Sequence, residues 1–186
     1  FDRIELGTYL IVAAIAGKKV IFLRIKPKII KTEIKLLKKM GVKMKVEKNK
    51  ITVFESTKLN NINIKTEPYP GFPTDLQAQI MVLMSKASGT SKITENIFEN
   101  RFMHVPELKR MGAKIITKKN VALISGPTSL SGAEVMATDL RASVSLVIAA
   151  LIADNRTVIN RVYHLDRGYE NLEKKLKKCK ASIKRF

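Results

Sequence analysis

Two helix starts built from the same word constrain the fold of this 186-residue chain more than any other feature. At 72–79, Phe-Pro-Thr-Asp-Leu-Gln-Ala-Gln leaves a proline-containing loop and enters an apolar run, Ile80 to Met84. Thr74 is expected to cap that helix, and Asp75 to favour its positive end. The pattern returns as Thr138-Asp139-Leu140-Arg141-Ala142-Ser143, followed by a second apolar run from Leu146 to Ala153. The two aspartates stand 64 positions apart, which implies a duplicated unit with polar residues gathered at matching helix mouths. An aspartate in a first turn is ordinarily a cap or dipole partner and nothing more. The repetition, and arginines at repeat-related positions, argue for a larger role here.

Other words repeat as well. Lys-Lys-Met-Gly-Val-Lys-Met at 38–44 matches Lys-Arg-Met-Gly-Ala-Lys-Ile at 109–115 and, more loosely, Lys-Lys-Cys-Lys-Ala-Ser-Ile at 177–183. Residues 6–16 are apolar on nearly every helical face, so they predict a buried helix. A strand follows at 20–23, a helix at 30–40 stopped by Gly41, and a hairpin at 43–46 and 51–54. After a linker at 60–71 the order recurs: helix 74–87, a strand opening at 92, helix 105–111 stopped by Gly112, and a hairpin at 114–117 and 121–124. A Gly/Ser linker at 126–134 leads to a third copy. Its elements are a buried helix to Ala153, a strand at 157–160, a helix at 169–178 and a last strand at 182–184. The units fall at about 1–55, 72–125 and 136–186. They predict an α/β (α+β) domain with central apolar helices enclosed by sheets, because exposing such helices would forgo about 1.5–3 kcal/mol per large side chain.

Composition narrows the classes. No apolar run approaches the roughly 18 residues of a membrane span. Cys179 is the only cysteine, which excludes an internal disulfide and a cysteine metal cluster. It falls where the other units have Met40 and Met111, so a buried, inert thiol is expected. His104 and His164 are too few to suggest a metal site. The formal net charge of +19 admits a nucleic-acid-binding module. Against this, 26 of the 35 basic residues are lysines spread along the chain, and the aromatics do not interleave with them. The first residues, Phe1-Asp2-Arg3, begin as though inside an element, which leads us to expect one part of a longer chain.

The arginines point to an anion. Eight residues after the strand residue Ile93 stands Arg101, and eight after Ile159 stands Arg167. Arg141 lies two residues beyond Asp139. If the units are related by pseudo-symmetry, Asp75, Asp139, Arg101, Arg141 and Arg167 converge on one face. Guanidinium forks near helix mouths match carboxylate and phosphate oxygens.

At these residues the chain resembles a known family. The carriers are Asp2-Arg3-Ile4-Glu5-x-Gly7-Thr8, Phe72-Pro73-Thr74-Asp75-x-Gln77-Ala78-Gln79, Glu99-Asn100-Arg101-Phe102-Met103-His104-Val105-Pro106-Glu107-Leu108, Ala137-Thr138-Asp139-Leu140-Arg141-Ala142-Ser143 and Tyr163-His164-x-Asp166-Arg167-Gly168-Tyr169-Glu170. In order and over nearly the whole length they are similar to the UDP-N-acetylglucosamine 1-carboxyvinyltransferase family of enolpyruvate transferases. The run from Glu99 to Leu108 separates that family from the 5-enolpyruvylshikimate-3-phosphate synthases. The resemblance implies an inside-out α/β fold of βαβαββ-like units, in two domains with the active site between them, and this chain corresponds to the C-terminal one. The absent N-terminal domain would supply a Lys-Asn pair, most of the nucleotide pocket and a mobile loop whose cysteine fosfomycin alkylates. Cys179 is not that cysteine, and Tyr69 stands where many relatives have His.

The implied reaction moves enolpyruvyl from phosphoenolpyruvate to the 3-hydroxyl of UDP-N-acetylglucosamine, in the cytoplasm, for peptidoglycan synthesis. It needs no metal or organic cofactor. Asp75 matches the base that binds the sugar hydroxyl, and the backbone at Ile97 a substrate contact. Arg101, Arg141 and Arg167 match arginines around phosphoenolpyruvate, and Asp139 a conformationally and catalytically important aspartate. The competing readings are another enolpyruvyl transferase, a basic nucleic-acid-binding module, and a truncated inactive paralogue.

Overall fold

The computed structural model describes residues 1–186. Three helices make its centre. Helix α1 (Arg3–Ala16) begins where Asp2 accepts hydrogen bonds from the backbone N–H groups of Ile4 and Glu5, at 2.6 and 3.3 Å. The helix therefore starts three residues before the apolar run that announces it. Helix α3 (Gln77–Met84) is buried at every residue, and α5 (Ser143–Ala150) at every residue but its last. α3 packs against both α1 and α5. The fully buried Ile80, Met81, Leu83 and Met84 each contribute about 1.5–3 kcal/mol. A side chain at Gly7 would collide with Leu76, so glycine lets α1 approach the turn that feeds α3.

Sheets cover this centre. β1 (Lys19–Leu23), β2 (Met44–Glu47) and β3 (Lys50–Phe54) form an antiparallel sheet in the order β1-β3-β2, with Lys19 opposite Phe54 and Met44 opposite Val53. Helix α2 (Lys31–Lys39) connects β1 to β2 and buries Ile34 and Leu37. The next sheet holds β4 (Asn63–Lys65), β5 (Gly89–Thr94), β6 (Lys114–Lys118) and β7 (Val121–Gly126) in the order β4-β5-β7-β6. β4 pairs parallel with β5, and the remaining pairs are antiparallel. With α4 (Val105–Arg110) between β5 and β6, the chain order here is βαβαββ. Last come β8 (Glu134–Met136) and β9 (Val158–Asn160), paired in parallel, then α6 (Tyr163–Asp166) and α7 (Leu172–Lys178). No helix is long and apolar enough to cross a membrane.

Several expectations are corrected. β4 lies in the stretch read as a linker at 60–71, and β8 begins at the last residue of the one at 126–134. Each is three residues long with one buried apolar side chain, Ile64 or Val135, too short to show alternation. Thr74 does not cap α3. Residues Thr74–Leu76 form a 3-10 turn, and the Thr74 hydroxyl donates instead to Glu95 Oε2 at 2.9 Å. α3 ends at Met84, short of the expected 87, and α5 ends at Ala150, short of its apolar run to Ala153. α6 occupies part of the loop before Arg167, α7 starts three residues later than expected, and residues 182–184 form no strand.

Cys179 is exposed rather than buried, whereas Met40 and Met111 are wholly enclosed. A two-stranded hairpin follows each of those methionines, and no strand follows Cys179. The backbone keeps the repeat nonetheless. Gly41, Gly112 and Lys180 all adopt left-handed φ, at 91°, 96° and 68°. The first two are the glycine stops expected after a helix; Lys180 takes the same turn with a side chain attached.

Candidate active site

The two repeat-related aspartates act differently. Asp139 is a local brace. Its Oδ1 accepts from the backbone N–H of Arg141 at 2.7 Å and of Ala142 at 2.6 Å, while Ser143 Oγ accepts from the N–H groups of Thr138 and Asp139, each at 3.1 Å. That reciprocal set fixes the turn into α5. Asp75 makes no cap, and its carboxylate is turned to arginines. Arg101 Nη2 donates to Asp75 Oδ1 at 3.0 Å, and Arg141 Nε lies 3.9 Å from Asp75 Oδ2.

Arg141 is the hub of the cluster. Its Nη2 stands 3.8 Å from Asp2 Oδ2, and its Nη1 donates to the Gly168 carbonyl at 3.3 Å. Its guanidinium also lies over the Tyr169 ring, 5.4 Å from the centroid. Elements from 2 to 169 thus meet on one side chain that is 18% exposed, against 37% for Asp75 and 47% for Asp2. Arg101 is similarly seated, 4.9 Å above the Phe98 ring. Ion pairs this open to solvent contribute about 0–1 kcal/mol each, so the cluster is poorly explained as a stabilising device. Planar donors held around an accessible carboxylate do make a site that an anion can enter.

Arg167 does not join the cluster. It is exposed, and its side chain makes no hydrogen bond or ion pair. Its neighbour Asp166 is clamped by Arg185, whose Nη1 and Nη2 donate to the two carboxylate oxygens at 2.6 Å each, and this pairing holds the Asp166 carboxyl below its ordinary range. Arg167 is therefore carried on a braced turn beside Gly168, next in chain to the residue that Arg141 grips. Ile97 is half-buried; its N–H donates to Glu95 Oε1 at 2.9 Å, and its carbonyl accepts no hydrogen bond from the protein.

Three features escaped the sequence. Glu95, 2% exposed, accepts from the Thr66 and Thr74 hydroxyls and from the N–H groups of Ile97 and Phe98, and so shapes the loop that carries Arg101. An acidic residue directly after a strand and before Asn-Ile was the available signal. Thr8, Gln79 and Tyr169 form a buried polar knot, for which separations of 71 to 161 residues give no local sign. His104 is 1% exposed with both ring nitrogens unpartnered. Burial pushes it down from 6.5 to about 4; Asp139 opposes that shift and Arg101 adds to it. Tyr69, the departure from the family pattern, stacks under Arg3 at 5.0 Å and is otherwise open.

Comparison with solved structures defines the class first. The enolpyruvyl transferase NikO from Streptomyces tendae matches with a TM-score of 0.90 at 30% identity, covering 98% of this chain and 44% of that one. EPSP synthase from Acinetobacter baumannii matches with a TM-score of 0.63 at 16% identity and shares the fold, over 85% of this chain and 38% of its own. This is an α/β domain of the enolpyruvyl transferase type. A family model described as EPSP synthase (3-phosphoshikimate 1-carboxyvinyltransferase) matches residues 1–176, and the chain belongs to that family. Within it, UDP-N-acetylglucosamine 1-carboxyvinyltransferase of Pelagibacter ubique (strain HTCC1062) is 62% identical over 185 residues, which is all of this chain and 44% of the relative. The protein of the same name from Rickettsia africae (strain ESF-5) is 55% identical over 184 residues, again 44% of its length. The chain spans less than half the length of the curated relatives it matches.

Proposed function

We propose that this chain forms the C-terminal domain of a cytoplasmic UDP-N-acetylglucosamine 1-carboxyvinyltransferase that serves peptidoglycan synthesis. The observation that carries the proposal is the Asp75 carboxylate held at the mouth of α3 between Arg101 and Arg141. The name shared by relatives at 53–62% identity supports the choice of sugar nucleotide.

In the proposed reaction, Asp75 takes the proton of the 3-hydroxyl as that oxygen bonds to C2 of phosphoenolpyruvate, and C3 gains a proton. The tetrahedral adduct then loses phosphate from C2 as a proton leaves C3, restoring the enol ether. Both substrate and adduct are anionic, so fixed guanidiniums lower the barrier wherever the charge stands. In the resting chain Arg101 and Arg141 lie on Asp75. An arriving carboxylate or phosphate competes for those same forks, and their transfer to the anion frees Asp75 to act as base. Arg167, unpaired and exposed on its braced turn, adds a further cation for the anion. The open carbonyl of Ile97 is a ready acceptor for the sugar nucleotide. Asp139, whose Oδ1 is spent on the turn into α5, holds Arg141 in place and does not carry the proton.

The remaining contacts belong to the part of the relatives that this chain does not span, so residues 1–186 alone should release no phosphate from the substrate pair. The test joins this chain to the remaining part of the Pelagibacter ubique relative. That chimera should release phosphate only when both substrates are present. Asp75→Asn should lower turnover by about 10²–10⁴-fold, with substrate binding changed less. Turnover within about threefold of wild type would return Asp75 to a bracing role and send the search for the base elsewhere.

A further inference from the structure

Beneath the arginine cluster lies a polar knot drawn from three parts of the chain. Thr8 of α1, Gln79 of α3 and Tyr169, just past α6, are 0%, 0% and 1% exposed. The Tyr169 hydroxyl lies 2.9 Å from Thr8 Oγ1. Gln79 Nε2 donates one hydrogen to the Asp75 carbonyl at 2.8 Å and shares the other between that hydroxyl at 3.1 Å and Thr8 Oγ1 at 3.2 Å. The donor to the Asp75 carbonyl must be the amide nitrogen, which settles the orientation of the Gln79 side chain. Polar groups this deep are costly unless paired; here the two hydroxyls and Gln79 Nε2 are paired while Gln79 Oε1 is not, and the paired atoms fix one another's arrangement.

What the knot fixes is informative. The Tyr169 ring face supports the Arg141 guanidinium at 5.4 Å, and the preceding carbonyl, of Gly168, accepts from Arg141 Nη1. The seat is tight. A Cβ at Gly168 would stand 3.2 Å from Arg141 Nη1 and 2.5 Å from Leu140 Cδ1. One end of the knot therefore holds the backbone of Asp75, and the other end holds the side chain that lies against the Asp75 carboxylate.

We infer that Tyr169 is a positioning residue that ties the anion-binding Arg141 and the base Asp75 to one buried anchor. The inference rests on the proposed transferase reading for its substrate names, but its structural content is independent of them. Thr8 and Gln79 set the Tyr169 ring plane through its hydroxyl, the ring sets the guanidinium, and Gln79 sets the mouth of α3. A change at Thr8, whose hydroxyl bonds neither Arg141 nor Asp75, should then be felt at both.

Two experiments test this. In the 186-residue chain, the side-chain Nε–Hε proton of Arg141 should resonate upfield, shifted by the Tyr169 ring. Thr8→Val and Tyr169→Phe should each move that signal, and Tyr169→Leu should abolish the ring shift. An Arg141 signal unmoved by Thr8→Val and Tyr169→Phe would overturn the inference, whatever the chain catalyses.

In the chimera, Tyr169→Phe keeps the ring under Arg141, so KM for phosphoenolpyruvate should stay within about twofold, while kcat falls because the tie from the hydroxyl through Gln79 to Asp75 is lost. Tyr169→Leu should raise KM for phosphoenolpyruvate by about 3- to 30-fold, the range such a contact supplies, and leave KM for the sugar nucleotide nearly unchanged. Thr8→Val should mimic Tyr169→Phe, and the two together should be no worse than either. Equal rises in both KM values, or additive losses, would reduce the knot to a packing device and refute the inference. A wild-type chimera without turnover would count against the transferase reading alone, because the Arg141 signal is measured without substrate.

Discussion

Replacing His104 with leucine should change how acid destabilises this chain, because burial keeps the imidazole neutral. The imidazole is enclosed, neither ring nitrogen has a partner, and burial lowers it from 6.5 to about 4. The folded protein therefore keeps His104 neutral over a pH range in which the unfolded chain has already protonated it. Above 6.5 both states are neutral and the group contributes no pH dependence. As pH falls from about 6.5 to 4, the unfolded state binds the extra proton and stability is lost, at up to about 1.4 kcal/mol per pH unit. Over the whole window the loss is about 3 kcal/mol. Glu33, raised by burial, works in the opposite direction, since its folded form favours the protonated acid as pH falls. Its contribution cancels when wild type and variant are compared.

Leucine has a similar volume and removes no hydrogen bond, because the imidazole makes none. Urea unfolding of wild type and His104→Leu at pH 7, 6, 5 and 4 should give curves whose stability difference shifts by about 3 kcal/mol in favour of leucine across the series. A difference constant to within about 1 kcal/mol would mean that His104 reaches a proton acceptor or solvent in the folded protein, and the enclosed, unpartnered imidazole would be wrong.

Other outcomes follow from single residues. Arg141→Lys keeps the charge but loses the planar fork, so phosphoenolpyruvate should bind more weakly to the chimera, with KM for the sugar nucleotide little changed; unchanged phosphoenolpyruvate affinity would argue against Arg141 as an anion ligand. Lys180→Gly relieves a left-handed side-chain residue that costs about 1–2 kcal/mol, less about 0.5–1 kcal/mol of added unfolded-state freedom. Thermal or urea unfolding should show a gain of about 0.5–1 kcal/mol, and a loss would contradict that turn. Cys179 should react with a thiol reagent in the native chain at nearly the rate of the unfolded one, whereas protection until unfolding would contradict its exposure. Any retention on DNA should fade between about 50 and 200 mM salt, and sequence-selective binding that survived would favour the nucleic-acid reading of the charge.

The parts of the fold legible in the sequence are those with long or duplicated signals. The all-apolar runs announced α1, α3 and α5 because no solvent-facing helix could carry them, and Gly41 and Gly112 marked the ends of α2 and α4. β4 and β8 were missed because a three-residue strand has no measurable period, and each is held by its parallel partner rather than by its own propensity. Repetition predicted that Asp75, Arg101 and Arg141 would meet, and they do. It also brought Asp139 to that face, where the carboxylate closes the turn into α5 and Ser143, at the position of Gln79, accepts from the Asp139 N–H. Arg167, expected on the same face, is exposed and stands apart from the cluster, beside an Asp166 that pairs with Arg185. Cys179 was placed inside by analogy with two methionines, yet burial depends on the hairpin that follows, not on the helix end itself.

The enclosure of α3 has a consequence for how the chain folds and opens. With α1 on one side and α5 on another, no segment of the chain can complete the surroundings of α3 alone, although a duplicated sequence suggests modules that could stand separately. The unit built on β4 to β7 is thus a unit of pattern but not of stability. Its backbone amides in Ile80 to Met84 should exchange with solvent only through global opening, at the free energy of unfolding the entire domain. Repetition here produces one cooperative body, in which a defect near residue 8 or near residue 146 is felt in the same buried helix.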